Sequence, residues 1–305
     1  MMKKEKIILI NLYLGFGIIL IAEALLFMKI PFIQKWFFSL CWWSYILIID
    51  SLNYRRKKYS LIFLKTKEFL FMAFISVSTW LIFEIINLRL NNWTYYNLPF
   101  NVVERWCGYF ISYASVIPAL WGTAFFIESL LPQKKFPFSL YVPRSFLWPF
   151  IFTGIFSIIL FLTFPRYFFP LVWLSLIFLV SPINYKLGIK GLIKYINEGS
   201  YEKIISWLIA GFWAGILWEF WNYWASARWQ YSIPYFNFLK IFEMPILGYF
   251  GFPPFALEVF VLYNLFSYIR EKIKFYPFLK WIVLLLLIIL DLICFRLIDF
   301  YTWIK

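Results

Sequence analysis

The sequence predicts an all-α, polytopic membrane helix bundle, and three observations carry that prediction. Apolar residues make up 63% of the 305 and charged residues only 14%, with a mean hydropathy of +0.77, far from the composition of soluble proteins. Apolar runs long enough to cross a bilayer, about 20 residues each, recur along the whole chain. Short clusters of Lys and Arg occupy alternate intervals between those runs.

In order, the runs lie at roughly 6–29, 33–52, 68–90, 104–131, 146–165, 168–185, 204–226, 240–270 and 279–301. That makes nine helices; the fifth and sixth are separated only by the Pro165-Arg166 turn and two others are long, so eight to ten are compatible with the pattern. The first run follows Lys3, Lys4 and Lys6, as a signal peptide would, but no small-residue cleavage site follows it and further spans come at once. It reads as the first membrane helix. With a cytoplasmic N-terminus, 20 of the 29 Lys and Arg residues fall on inner segments, Arg55, Arg56, Lys57, Lys58, Lys186, Lys190, Lys194, Arg270, Lys272 and Lys274 among them. The expectation is a multi-pass protein of the cell's inner (plasma) membrane with its C-terminus outside. The net charge of +14 then reflects topology and contact with membrane lipid, and basic residues divided among short loops argue against a nucleic-acid partner.

A polar signature occurs twice inside this apolar background: Glu84, Asn87, Trp93, Tyr95, Pro99 and then Glu219, Asn222, Trp229, Tyr231, Pro234. A carboxyl in an apolar span is expensive, so its reuse in one local setting predicts a duplicated fold whose halves meet around a polar site. Asn53-Tyr54 resembles Asn184-Tyr185, and Pro118 lies 135 residues before Pro253. The expected organisation is a four-helix repeat at 1–135, a second at 136–275 and an additional helix at 276–305. Four crossings return the chain to its starting side, so the repeats should run parallel about a pseudo-twofold axis along the membrane normal. Both Trp-x-Tyr loops, 91–103 and 227–239, then face outward, with Glu84 and Glu219 about 10 Å below the surface.

Glu84 with Asn87, and Glu219 with Asn222, are i, i+3 pairs, so each presents a carboxyl and an amide on one helical face. Two readings follow: a proton donor or acceptor oriented by an amide, or interhelical glue joining the halves. Only the second copy is followed by further carboxyls, Glu243 and Glu258, around a run containing Pro245, Gly248, Gly251, Pro253 and Pro254. That run predicts a broken or re-entrant helix bordering a site, with a kink or short outer loop as the alternative. Asp50 lies beside the Arg55–Lys58 run, where an ion pair is expected, and Arg89, Arg105 and Arg228 read as rim residues snorkelling to the interface. Most of the 17 Trp suit interfacial belts; Trp93, Trp218, Trp221 and Trp229 stand apart because they adjoin the carboxylates and could stabilise a cation.

The chain has no His, which removes a His base and His-ligated haem or metal. Cys41, Cys107 and Cys294 form no CxxC pair, and neither a Walker A nor a dinucleotide-binding glycine motif is present. No cofactor and no metal are expected.

Trp229-x-Tyr231 followed by Gly248, Gly251, Pro254 and Glu258 resembles the tail of the integral-membrane lycopene cyclase pattern, in which an acid, a Trp-x-aromatic loop and a Gly-containing run lead to Pro-x-Glu-Glu. The resemblance covers roughly 219–262, with a fainter echo at 84–123, and departs by reading Pro-Phe-Ala-Leu-Glu with one Glu. Related carotenoid-biosynthesis membrane proteins are similar in carrying a helix Glu before an aromatic outer loop. The resemblance implies a hydrophobic small-molecule substrate, an isoprenoid or other lipid, transformed without redox change by carboxylate acid/base chemistry. Glu219 or Glu258 would be the proton donor and Glu84 or Glu243 the acceptor; Asn87 and Asn222 would orient them, with Trp218, Trp221 and Trp229 along the cation path. A proton-coupled transporter or lipid-handling protein, and a structural membrane protein, remain open alternatives; the oligomeric state is not legible.

Overall fold

The computed structural model describes residues 2–132, 140–235 and 237–304. Among them are nine helical spans long and apolar enough to cross a membrane, so the chain is an all-helical polytopic membrane protein. The expected boundary between 135 and 136 lies outside the described residues.

The first two spans are α1 (Met2–Phe27) and α2 (Pro31–Lys57). Pro31 opens α2 where its missing N–H costs nothing, and Arg55, Arg56 and Lys57 end it, complementing the helix dipole. Ser60 caps the one-turn helix α3 (Leu61–Leu64). Asp50 accepts the Ser60 hydroxyl at 2.6 Å and the Leu61 amide at 2.6 Å. The ion pair expected for Asp50 is therefore replaced by a cap, because the start of α3 offers bare N–H groups that need an acceptor. The third span is α4 (Thr66–Leu90), which leads into the strand β1 (Trp93–Tyr96).

Two consecutive helices, α5 (Val102–Tyr113) and α6 (Val116–Glu128), make the fourth span. The fifth contains α7 (Leu147–Thr163), and the sixth contains the single turn α8 (Pro165–Phe168) and α9 (Val172–Lys186). After the short α10 (Leu192–Glu198) comes the seventh span, α11 (Tyr201–Trp224), followed by the strand β2 (Arg228–Tyr231). The run expected as one helix from 240 begins otherwise. Strands β3 (Lys240–Ile241) and β4 (Met244–Pro245) form a hairpin, and Ile246–Gly251 is a 3-10 turn leading into α12 (Phe252–Ile273). The Gly and Pro residues thus shape the N-terminal end of the eighth span and leave α12 unbroken, with Pro253 and Pro254 in its first turn, where proline is tolerated. The ninth span, α13 (Pro277–Tyr301), ends in the strand β5 (Trp303–Ile304).

Packing follows the order of the spans. α1 packs on α2, α2 on α6 and α4 on α6; α7 packs on α9, α9 on α12 and α11 on α12. α6 and α11 form the main seam between these two sets. At the end of the seam remote from the strands, Tyr263 donates to Glu68 and Lys203 pairs with Glu128 at 2.5 Å. Residues 68 and 203, and likewise 128 and 263, are 135 positions apart, the spacing of Glu84 and Glu219.

At the opposite end β1 pairs antiparallel with β2 and parallel with β5. Trp93 lies opposite Tyr231, Thr94 opposite Gln230 and Tyr95 opposite Trp229. The register is self-complementary: each Trp of one Trp-x-Tyr faces the Tyr of the other, about the central Thr94–Gln230 pair.

Candidate functional site

Both copies of the polar signature dock this ribbon onto the helix that precedes it. Asn87 is fully buried; its Nδ2 donates to the Trp93 carbonyl at 2.8 Å, and its Oδ1 accepts the Asn92 and Trp93 amides at 2.8 and 3.2 Å. Asn222 repeats the bracket, donating to the Trp229 carbonyl at 2.9 Å and accepting the Trp229 amide at 3.0 Å. An amide suits this task because it carries a donor and an acceptor side by side, as a neighbouring strand would. The expected glue between halves is thus one step removed: each Asn holds its own strand, and the strands hold each other.

The carboxyls sit one helical turn below. Glu84 Oε1 accepts three donors, the Trp80 indole at 2.8 Å, the Trp93 indole at 3.2 Å and the Tyr95 hydroxyl at 2.5 Å. Glu219 Oε1 accepts the Tyr231 hydroxyl at 2.8 Å. Both residues are at most 1% exposed, and in each the second oxygen, Oε2, has no protein partner among the described residues. Burial first, and then the facing carboxylate, hold the phenols of Tyr95 and Tyr231 well above the ordinary tyrosine range. Both tyrosines therefore remain hydrogen-bond donors.

Two cavities of about 80 Å3 each lie beneath the ribbon. Trp80, Tyr95, Trp218 and Trp229 form a wall common to both. Phe38, Trp42, Tyr109 and Tyr113 complete the first; Phe169, Trp173, Met244 and Gly248 complete the second, which Tyr231 also lines. Phe38 and Phe169, and Trp42 and Trp173, are separated by 131 positions, the spacing of Asn53 and Asn184. Tyr109 and Met244, and Tyr113 and Gly248, are separated by 135. The two cavities thus use matching positions, with phenols in the first where the second has a thioether and a glycine.

Of the residues singled out from sequence, Glu84, Glu219, Asn87, Asn222, Trp93, Tyr95, Trp218, Trp229 and Tyr231 converge on this region. Three do not. Trp221 packs edge-on against Trp42 with ring centres 5.0 Å apart and lines neither cavity. Glu243 lies at the hairpin, 3.8 Å from Arg228 and near enough for its charge to act on Glu219, but it lines neither cavity. Glu258 is fully buried between α12 and α9, where its Oε1 accepts the Leu176 amide at 2.9 Å.

Arg105 does not snorkel. It is 3% exposed and forms a two-pronged ion pair with Asp299 of α13, at 2.6 and 2.7 Å. Its guanidinium also stacks 4.1 Å from the Trp303 ring, while Trp106 and Tyr109 donate to the same carboxylate. Sequence reasoning missed Asp299, Trp80, Tyr109 and Tyr113. The i, i+4 spacing of Tyr109 and Tyr113 was the available signal, and it is diluted in a chain that is one quarter aromatic.

No family model, curated protein or solved structure matches this chain.

Proposed function

We propose that the chain is an integral membrane enzyme acting on an isoprenoid or other lipid substrate by redox-neutral carboxylate acid/base chemistry. The observation that carries this reading is the pair of buried carboxyls, each hydrogen-bonded through one oxygen to a tyrosine that lines an aromatic cavity. Neither carboxyl makes an ion pair among the described residues. An intramembrane carboxyl without a cation is costly; Glu258 carries the same cost between α9 and α12, so the tyrosine and cavity beside Glu84 and Glu219 are what set those two apart. Protonated Glu219 would give its proton to the Tyr231 oxygen as the Tyr231 hydroxyl turns and gives its own to a double bond or functional group in the second cavity, and Glu84 would take up the proton of Tyr95 as Tyr95 receives one from the substrate. Trp80, Trp218 and Trp229 present ring faces to any cation formed between them. The lycopene cyclase resemblance at 219–262 is consistent with such a substrate.

The two sets of helices are, in this reading, copies related by a pseudo-twofold axis along the membrane normal, with α13 added. The self-complementary ribbon and the seam contacts spaced by 135 support it, since such an axis maps each onto its counterpart. The basic inner segments support a cytoplasmic N-terminus in the cell's inner membrane.

The test is expression of the intact chain in cells supplied with polyene and polyprenyl substrates, with extracted lipids resolved by chromatography and mass spectrometry. A product of unchanged mass and altered retention is expected, and it should vanish in Glu84→Gln and Glu219→Gln, which still accept the tyrosine hydroxyls. Unaltered profiles with every substrate would overturn the enzyme reading. A loss of stability in both Gln variants with product formation intact would leave the carboxyls as ribbon clamps only.

A further inference from the structure

Hydrogen-bond polarity in the first cavity identifies the group it would receive. Two of the three donors on Glu84 Oε1 are indole N–H groups, which cannot accept, so that oxygen is an acceptor and Tyr95 must donate to it. The Tyr95 oxygen in turn accepts the Tyr113 hydroxyl at 3.2 Å. The proton of Tyr113 is thereby committed, and among the described residues its oxygen accepts nothing in return. The chain Tyr113 to Tyr95 to Glu84 runs in one direction and ends, on the cavity side, in an open acceptor.

We infer that the first cavity binds a hydroxyl group, donated to the Tyr113 oxygen, at the end of an apolar chain; the chemical class is an isoprenoid or lipid alcohol. The second cavity has no counterpart of Tyr113, since Gly248 stands at that position and Met244 where the first has Tyr109; its own phenol, Tyr231, is the tyrosine bound directly to the carboxyl. The first cavity, at about 80 Å3, would take the hydroxyl end of such a ligand and not its whole hydrocarbon chain. The inference rests on the reading of these cavities as a ligand site, and it makes their inequality a matter of substrate selection.

The experiment measures binding to the intact chain in lipid nanodiscs, with tryptophan fluorescence reporting three C20 probes: geranylgeraniol, its methyl ether, and the hydrocarbon lacking the oxygen. The alcohol should bind about tenfold more tightly than the other two, the difference one hydrogen bond makes. Tyr113→Phe should bring all three to the affinity of the hydrocarbon. An ether that binds as well as the alcohol would show that the protein donates to the ligand rather than accepting from it and would overturn the inference, as would an alcohol preference that survives Tyr113→Phe. Equal binding of all three would mean that water alone meets Tyr113, and would overturn it too. The wild-type comparison decides the matter even if the variant fails to fold. An inert protein that still selects the alcohol sinks the enzyme reading alone, whereas turnover of hydrocarbon without selection sinks this inference alone.

Discussion

Replacing Asn87 by Leu tests whether the ribbon is held by the bracket. The side chain makes three hydrogen bonds to the backbone at 2.8, 2.8 and 3.2 Å and is fully buried. Leu fills the volume but strands two amides and a carbonyl where little water reaches. At about 1 kcal/mol for each bond the loss should come to about 3 kcal/mol. Asn222→Leu removes two such bonds and should cost about 2 kcal/mol on the same scale. Asn97, exposed, with a single 3.3 Å bond and a left-handed backbone (φ 54°), serves as the control; its Ala variant should cost no more than about 1 kcal/mol. Unfolding by SDS titration in mixed micelles gives the three values, and hydrogen exchange at 92–96 and 228–232 locates the change. If Asn87→Leu costs no more than the Asn97 control, or leaves ribbon exchange unaltered, the bracket does not hold the ribbon and the account of the repeated signature is wrong.

Further outcomes follow from the same contacts. Asp299→Asn leaves the buried Arg105 charge without its counter-ion and should cost about 3 kcal/mol, whereas the double variant Arg105→Met, Asp299→Leu should recover most of it; single and double variants of equal stability would show that the pair is not coupled. The alkaline limb of stability should carry a contribution from Tyr95 and Tyr231. Their folded pKa values lie well above the ordinary tyrosine value of about 10, so the stabilisation is complete below pH about 10 and is lost as pH rises toward the folded values. Tyr95→Phe and Tyr231→Phe should flatten that limb, and unfolding scans between pH 8 and 11 that match the parent in slope would exclude it. A Cβ at Gly215 would meet the Phe252 ring at 2.3 Å, so Gly215→Ala should cost about 1–3 kcal/mol and reshape the second cavity; unchanged thermal stability would argue against that close approach.

How much of this was legible in the sequence depended on whether the signal was local. The spans were, because a bilayer demands an unbroken apolar run, and so was the pairing of Glu84 with Asn87 on one helical face, which follows from 3.6 residues per turn. The partners of those side chains were half legible: Trp93 and Tyr95 were singled out, but the pairing of their strand with residues 228–231 is a tertiary fact. Arg105 and Asp299 lie 194 residues apart, and each alone looks like a charge at the end of a span, which is why Arg105 reads as a snorkelling residue. The Gly and Pro run at 245–254 reads from sequence as a broken or re-entrant helix, but it forms a hairpin and a 3-10 turn ahead of an unbroken α12, because composition cannot say whether such residues fall within a helix or before it.

The signature itself acquires a division of labour from this geometry. Its Asn and Trp-x-Tyr backbone account for docking, and equally in both copies, so that part of the duplication is explained by architecture. The carboxyls are not explained in that way, because a tyrosine hydroxyl at either position could be satisfied by a neutral amide without burying an ionisable group. Nor are the copies equal where they meet the cavities: three donors converge on Glu84 and one on Glu219, and the phenols of Tyr109 and Tyr113 belong to the first cavity alone. In the sequence only the second copy is followed by further carboxyls, Glu243 and Glu258. In the folded chain those two carboxyls serve the hairpin and the α9–α12 contact, and the polar lining gathers in the N-terminal half. If the two sets of helices are copies, as proposed, their departures from one another at Tyr109, Tyr113 and Trp80 are where a substrate would be distinguished.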